Sequence, residues 1–171
     1  MVDKVLRRVS GRTEQYTPVQ QSAGAADAGK IPALNAEGKI DPSMYDAGAG
    51  EQTLPVPASE ALGAGKFVNL WNDAGTLKAR LADNSNNRPA DGFVKDAVSL
   101  AATATVYPLD AVNPSLTGLT VGADYYLGTA GGVITPALDA TSAAAGSIDQ
   151  KLGKAKSATE LVTDDYDYVV L

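Results

Sequence analysis

The chain has 171 residues, a formal net charge of −6, and neither cysteine nor histidine. An acidic balance disfavours a nucleic-acid partner, because phosphates are bound by clustered lysine and arginine, and no stretch approaches the about 18 consecutive apolar residues of a membrane span. The missing cysteine and histidine exclude a thiol nucleophile, a Ser-His-Asp relay and a zinc site of the Cys/His type.

The first twelve residues form a basic tip on an otherwise acidic chain. Lys4, Arg7, Arg8 and Arg12 are opposed there only by Asp3. These cations are expected either to contact an acidic surface of a partner or to be solvated. No apolar run follows them, so the start of the chain does not have the pattern of a secretory signal.

Residues 1–50 are predicted to form an extended, largely irregular arm, because no helical or strand period is found from Thr13 to Glu51. Within this arm, Pro32 and Pro42 favour extended backbone at the residues before them. The segment Asn35–Gly38 suits a type I turn, with Asn first and Gly last. Residues 31–44 are therefore interpreted as two extended limbs joined by a tight turn. A disordered linker is the alternative.

The arm carries isolated aliphatic side chains that are too few to build a core. They are Val19, Ile31, Leu34, Ile40 and Met44. Fixing the backbone costs roughly 1–2 kcal/mol per residue, whereas burying one aliphatic side chain returns about 1.5–3 kcal/mol. These residues are therefore predicted to be anchors that need a pre-existing apolar surface on a partner.

After residue 50 the pattern changes to short β-rich runs separated by turn residues. The predicted strands lie at 66–71, 76–82, 92–98, 103–109, 124–128, 132–135, 151–158, 160–163 and 165–171. Their spacing predicts a mainly β domain over 51–171, a small antiparallel barrel or sandwich, with 51–112 and 113–171 as possible subdomains. Helix is expected only as a short turn after Ser59, and Ser157–Glu160 is interpreted as a β-turn.

Two segments resemble ligand-binding motifs without completing them. GAGK at 63–66 lacks the first glycine of a P-loop, because Glu60 stands there, and Phe67 replaces the Ser or Thr after the lysine. The loop from Asp83 has the first alternating oxygens of a calcium loop, but Arg88 occupies the glycine position and Val94 the position of the bidentate acid. A polar loop is the preferred interpretation.

Paired carboxylates could act in glycoside hydrolysis, and Asp164, Asp165 and Asp167 lie close together in the sequence. Alternation would place Asp165 and Asp167 on the same face of a terminal strand. Such a run is more often a solvated edge whose charge discourages strand pairing. We therefore expect no enzyme, no cofactor and no metal.

Four stretches together resemble proteins of bacteriophage particles. AGKIPALNAEGKIDPSM (28–44) is similar to a phrase found near the N-termini of phage virion proteins. The stretches 65–94, 118–134 and 152–161 resemble the small β-modules of phage head-decoration (cement) and head-fibre proteins. The four stretches are spread over residues 28–161, and the resemblance implies a catalytically inert protein.

The resemblance also implies a location and partners. Such proteins sit on the capsid exterior, often as homotrimers, and stabilise the shell by bridging subunits of the major capsid protein. By this reading the capsid-binding residues are Arg7, Arg8, Arg12, Val19, Ile31, Leu34, Ile40 and Met44. The alternative is a virion-anchored fibre whose β-domain binds a host glycan or receptor, with Trp71, Tyr125 or Tyr126 as a stacking platform.

Overall fold

The structure is a computed structural model that describes residues 4–45 and 52–171. The chain divides into two units, Met1–Gly50 and Glu51–Leu171. None of the helices in the described ranges has the length and apolar character needed to cross a membrane.

The N-terminal unit begins with a β-hairpin that the sequence pattern did not predict. Strand β1 is Val5–Val9, strand β2 is Arg12–Tyr16, and the two strands are antiparallel. Ser10 and Gly11 form the turn, with φ of 51° and 82°, as in a type I′ hairpin turn. The prediction that residues 13–51 contain no strand was therefore wrong for residues 13–16, which belong to β2.

The rest of the described N-terminal unit is irregular apart from two 3₁₀ helices, Gly24–Asp27 and Pro42–Met44. The second of these replaces the end of the predicted second extended limb. Asp41 caps this helix by accepting a hydrogen bond from the Ser43 N–H, and proline is well suited to its first position. The two-limb interpretation was wrong here because the same proline that disfavours helix before it can begin one.

The strands of the second unit cover most of the predicted runs. Within residues 52–171 they are β3 Leu54–Pro57, β4 Phe67–Asp73, β5 Thr76–Leu81, β6 Gly92–Phe93, β7 Thr103–Val106, β8 Val112–Asn113, β9 Asp124–Leu127, β10 Val133–Ile134, β11 Ile148–Ala155, β12 Leu161–Thr163 and β13 Tyr168–Val170.

These strands form three antiparallel sheets in the described part of the chain. The largest has the order β10-β9-β11-β12-β8, with β13 paired to β11, and the others are β5-β4-β6 and β3-β7. The mainly β fold is thereby confirmed. None of the three sheets formed by the described residues closes into a barrel, and the arrangement is consistent with the sandwich alternative.

The buried side chains form two clusters on the two faces of the β5-β4-β6 sheet. In β4, Phe67 belongs to one cluster and its neighbour Val68 to the other, as expected when successive side chains alternate between faces. Phe93 and Val94 divide in the same way. The first cluster also takes Leu152 and other residues after position 112, so 51–112 and 113–171 contribute to one core.

The remaining differences from the sequence predictions are local. Strand β3 was missed because it contains Pro55 and Pro57, which are depleted from strands. No helical turn follows Ser59, whose N–H donates instead to the Ala79 carbonyl oxygen at 2.8 Å. Residues 164–167 lie outside strand, so the common face predicted for Asp165 and Asp167 does not form.

Asp83 joins two loops of the second unit, and its removal is expected to destabilise them. Its carboxylate accepts hydrogen bonds from the Ser85 N–H and hydroxyl and from the Ala130 N–H. Burial favours the neutral acid, but these hydrogen bonds and the nearby Arg88 outweigh it and hold the pKa of Asp83 below its ordinary value. The stabilisation by Asp83 is therefore fully present above the pKa that this carboxyl has in the unfolded chain. It is lost as the pH falls through the lower pKa that the same carboxyl has in the folded chain.

We expect Asp83→Asn to lower the melting temperature at pH 7, and we expect this difference from the wild type to shrink in acid below the ordinary carboxyl pKa. Thermal unfolding followed by circular dichroism measures both effects. Asp110→Asn, at an exposed aspartate, is the matched control and should melt as the wild type does at pH 7. An Asp83→Asn variant with unchanged melting at pH 7 would contradict the role of this carboxylate.

Candidate partner-binding surface

The aliphatic residues of the N-terminal unit are held by a backbone that doubles back on itself. Val19 forms a parallel bridge with Pro32, with the Val19 N–H donating to the Ile31 carbonyl oxygen at 2.9 Å. The Ala33 N–H donates in turn to the Val19 carbonyl oxygen at 2.7 Å. The Gln20 side-chain amide also donates to the Leu34 carbonyl oxygen at 2.6 Å. These bonds place Val19 beside the first predicted limb.

The predicted turn between the two limbs is confirmed. The Gly38 N–H donates to the Asn35 carbonyl oxygen at 3.0 Å, which closes the turn. The Asn35 side-chain oxygen also accepts hydrogen bonds from the N–H groups of Glu37 and Lys39. Gly38 has φ of +71°, a conformation that glycine adopts without strain. The turn sets the positions of Leu34 and Ile40 on either side of it.

The second limb is tied to the segment around Gln21 and Ser22 by polar side chains. The Ser22 N–H donates to the Ser43 hydroxyl oxygen at 2.8 Å, and the Gln21 amide donates to the Asp41 carboxylate at 3.3 Å. Hydrogen bonds from the Ser43 hydroxyl and N–H, with a smaller contribution from Gln21, hold the pKa of Asp41 below its ordinary value, although desolvation opposes them. The ionised form of Asp41 therefore favours the local turn at Ser43, whereas the other hydrogen bonds of the fold-back do not involve this carboxylate.

A surface groove of about 260 Å³ lies between these segments. Val19, Ile40 and Met44 line it together with Pro32, and the ion pair of Asp27 with Lys30 contributes its polar part. Three of the five predicted anchors therefore meet at one place. Ile31 and Leu34 are not among the lining residues.

The predicted anchors remain accessible in the described chain. Ile31 is 44% exposed, Leu34 54% and Ile40 44%, while Val19 and Met44 are half-buried. Among residues 4–45 only Pro18 is buried. The described part of the unit is thus held by hydrogen bonds and turns, and it has no apolar core that could bury these side chains.

The arginines lie on the hairpin rather than on an irregular tip. Arg7 pairs with Glu14, its Nε lying 2.8 Å from the carboxylate, and its guanidinium lies 4.5 Å from the centre of the Tyr16 ring. Arg12 is on the same face as Arg7, because Arg12 lies opposite Val9 and Arg7 opposite Glu14. Arg8 projects from the other face of the hairpin. Sequence reasoning missed Glu14 and Tyr16. The Ser-Gly dipeptide was the one local signal of the hairpin that brings them to Arg7.

The aromatic residues of the alternative, glycan-binding interpretation do not form a common platform. Tyr125 is buried, and its hydroxyl accepts a hydrogen bond from the Thr120 N–H at 2.9 Å. Trp71 donates from Nε1 to the Ser59 hydroxyl, and the Arg80 guanidinium covers its ring at 4.7 Å from the ring centre. Tyr126 alone of the three is half-buried without such a cover.

The two segments that resemble a P-loop and a calcium loop have structural roles. Gly65 of the GAGK stretch has φ of +73° and packs against the Ser115 backbone, where a side chain would clash. The Asp83 carboxylate of the calcium-like loop is occupied by the hydrogen bonds described above. Within the described ranges no three acidic side chains are grouped as they would be to hold a metal ion.

Comparisons with known proteins give one similarity. No family model matches the chain, and no curated protein matches it. Among solved structures the chain is similar to the head fiber gp8.5 N base in bacteriophage phi29, with a TM-score of 0.43 and 15% identity, over 66% of this chain and 93% of that one. A TM-score below 0.5 at this identity carries no conclusion about the present chain.

Proposed function

We propose that this chain is a structural protein of a phage virion that binds the outer surface of the capsid through residues 1–50 and stabilises the shell by bridging subunits of the major capsid protein. The similarity of four stretches to phage head-decoration and head-fibre proteins supports the class of protein. The similar solved structure is also that of a head fiber. The proposal does not rest on that similarity.

One observation carries the proposal: residues 4–45, the described part of the N-terminal unit, expose most of their aliphatic side chains and bury almost none of them. A small unit that buries only Pro18 in its described part gains little from the hydrophobic effect. Ile31, Leu34 and Ile40 are each about half exposed, so a partner surface that covered them would supply the missing burial. A two-stranded hairpin is likewise marginal in water until another surface covers it.

The geometry changes the expected mode of binding. An extended arm would lose the entropy of about forty residues on binding, at roughly 1–2 kcal/mol per residue. The hydrogen bonds between Val19 and Ile31 and between Ser22 and Ser43 fix part of that conformation beforehand. The unit therefore presents a preformed face, and preorganisation of this kind reduces the cost of association.

Bridging follows if several copies each contact more than one capsid subunit. The linkage of copies, as in the proposed homotrimer, would convert weak single contacts into strong attachment through effective concentration. A face of a few aliphatic residues is suited to such repeated weak contacts. The second unit, which holds fourteen of the twenty acidic residues, would then face the solvent, where its charge favours solubility.

The direct test is a particle reconstruction of capsids that lack this protein, with and without the purified chain added. We expect added density on the outer surface, with the aliphatic face of residues 19–44 against the major capsid protein. Heating the same particles tests bridging, because decorated capsids should retain their contents to a higher temperature. Attachment without any gain in heat resistance would rule out the bridging role, and the absence of density would rule out attachment.

The arginines of the hairpin give a prediction about salt. If they meet an acidic capsid surface, binding should weaken as ionic strength rises, because salt screens exposed charges. Arg12→Gln should weaken binding up to about fivefold at low salt and less at high salt, since one exposed ion pair is worth about 0.2–1 kcal/mol. Binding isotherms at several salt concentrations measure this, with Lys78→Gln in the second unit as the control. Equal salt dependence of the wild type and Arg12→Gln would show that Arg12 is merely solvated.

A further inference from the structure

The second unit has a surface groove of about 520 Å³ beside the start of strand β3. Its apolar lining comes from three strands and from a proline two residues after β7: Leu54, Leu70, Val106 and Pro108. Leu54 is 41% exposed, so the groove presents apolar surface to the solvent. Its volume lies within the about 300–1,000 Å³ that is usual for ligand sites.

Asp91 is the one charged residue among the described residues that line this groove. It lies directly before β6, and its N–H donates to the Val68 carbonyl oxygen at 2.9 Å. Its carboxylate oxygen Oδ2 accepts hydrogen bonds from the Leu70 N–H at 2.6 Å and from the Asn69 side-chain amide at 3.0 Å. Oδ1 accepts no hydrogen bond from a described residue. The carboxylate is therefore fixed in position with one oxygen unpaired.

No cation within the described residues pairs with this carboxylate. Asp91 forms no ion pair there, and the nearby Arg80 donates from Nε to the Asn69 amide oxygen instead. Desolvation by the surrounding protein raises the pKa of Asp91 above its ordinary value, and the charge of Asp165 adds to this effect. The two hydrogen bonds to Oδ2 and the charge of Arg80 oppose the rise without cancelling it. A cation bound beside Asp91 would favour the ionised form.

The geometry of the carboxylate distinguishes between the two common cationic side chains. An arginine guanidinium pairs best with both oxygens of a carboxylate at once, as a bidentate fork. The two acceptor sites of Oδ2 are already used by Asn69 and Leu70, which leaves only Oδ1 for a ligand. A lysine ammonium is a compact point charge and needs only one such oxygen. Its four-carbon stem can lie along apolar surface while the ammonium stays near water.

We propose that this groove, the Asp91 groove, binds a lysine side chain of another protein, with the ammonium on Oδ1 of Asp91 and the stem against Leu54 and Leu70. Residues 51–171 hold fourteen acidic and eight basic side chains. This charge favours a basic partner over the same unit of a second copy. The site lies entirely in the second unit and does not rest on capsid binding by residues 1–50.

The charge of the ligand is tested with the isolated side chain. n-Butylammonium reproduces the lysine side chain, and n-butanol has the same stem without the positive charge. Each is titrated into the full isotope-labelled chain at constant ionic strength, and NMR follows the backbone amides. Leu70 is the reporter, because its N–H donates to Asp91. We expect n-butylammonium to shift the Leu70 amide saturably and to bind several-fold more tightly than n-butanol. Equal binding of the two would overturn the proposal.

Short peptides test the selection of lysine over arginine. Acetyl-Gly-Lys-Gly-amide should bind several-fold more tightly than acetyl-Gly-Arg-Gly-amide, because the guanidinium fork finds only one unpaired oxygen. The same titration measures both. An arginine peptide that bound as tightly as the lysine peptide, or more tightly, would contradict the assignment of the ligand.

Substitutions test the site itself. Asp91→Asn removes the charge but keeps an oxygen that can accept from the Leu70 N–H, and it should weaken n-butylammonium binding by about fivefold, the upper end for an exposed ion pair. Asp110→Asn is the matched control, because this exposed aspartate lines the adjoining cavity, which shares Pro108 with the groove. It should bind as the wild type does. Unchanged binding by Asp91→Asn, or an equal loss in Asp110→Asn, would overturn the proposal.

A second variant keeps the test decisive if Asp91→Asn does not fold, which circular dichroism melting would show. Leu54→Ser leaves the carboxylate in place and removes apolar surface at an exposed position of the groove wall. It should weaken the binding of n-butylammonium about twofold, through loss of contact with the stem. Binding as tight as that of the wild type would show that the stem does not lie in this groove and would refute the proposed site.

Discussion

Deletion of residues 1–50 is expected to abolish binding to the capsid while residues 51–171 remain folded. The second unit holds both buried clusters, so its core is intact without the first fifty residues. The residues proposed to contact the capsid all lie in the deleted part. Co-sedimentation with capsids measures binding, and thermal unfolding by circular dichroism measures the fold.

The two readouts separate the possible outcomes of this deletion. A truncated chain that melts cooperatively but does not sediment with capsids is the expected result. A truncated chain that binds as tightly as the full chain would place the capsid contact in the β-domain and refute the proposed role of residues 1–50. An insertion variant that keeps residues 1–50 but lengthens the junction at residue 50 is the control and should still bind.

Part of the β-domain was predictable where apolar and polar residues alternate along a strand. The alternation of Leu77, Ala79 and Leu81 with polar residues predicted β5, and the Ala-Gly turn before it predicted the hairpin with β4. Ala74 and Gly75 both have positive φ, as a two-residue hairpin turn requires. Local pattern and tertiary packing agree here.

The strands that escaped prediction lack such a pattern for identifiable reasons. Strand β8 has only two residues, which is too few to show a period. Its buried residue, Asn113, is polar and donates a hydrogen bond to the Gly65 carbonyl oxygen, so no apolar side chain marks the strand. The N-terminal hairpin has polar or charged side chains on both faces, so no apolar period marks it. Its only local signal is the Ser-Gly turn.

The aliphatic residues proposed as anchors were identified from the sequence, but their conformation was not. Exposed aliphatics flanking a turn around Asn35 followed directly from the sequence. The fold-back depends on bonds such as Ser22 to Ser43, between residues far apart in the chain, and no periodic pattern encodes them. An extended arm was therefore the natural expectation, whereas the structure presents a partly fixed surface. This difference matters for function, because a fixed surface binds with less loss of entropy.

Replacement of both Leu34 and Ile40 by aspartate is expected to abolish capsid occupancy without changing the melting of the β-domain. Each side chain is about half exposed, so binding would bury the remaining part and return about 1 kcal/mol for each. The new carboxylates would in addition have to be desolvated or excluded from the interface, at several kcal/mol. Affinity should therefore fall by at least about a hundredfold, and co-sedimentation over a range of concentrations measures it.

The fold-back should survive this double substitution, because Gln20 bonds to the backbone oxygen of residue 34 and not to its side chain. A loss of binding can then be assigned to the aliphatic face and not to unfolding of the unit. Leu77→Asp with Val121→Asp makes the matched control, since it adds the same charge at exposed aliphatic positions of the second unit. If that control lost binding equally, net charge would be the cause; if Leu34→Asp with Ile40→Asp bound normally, these residues would not be anchors.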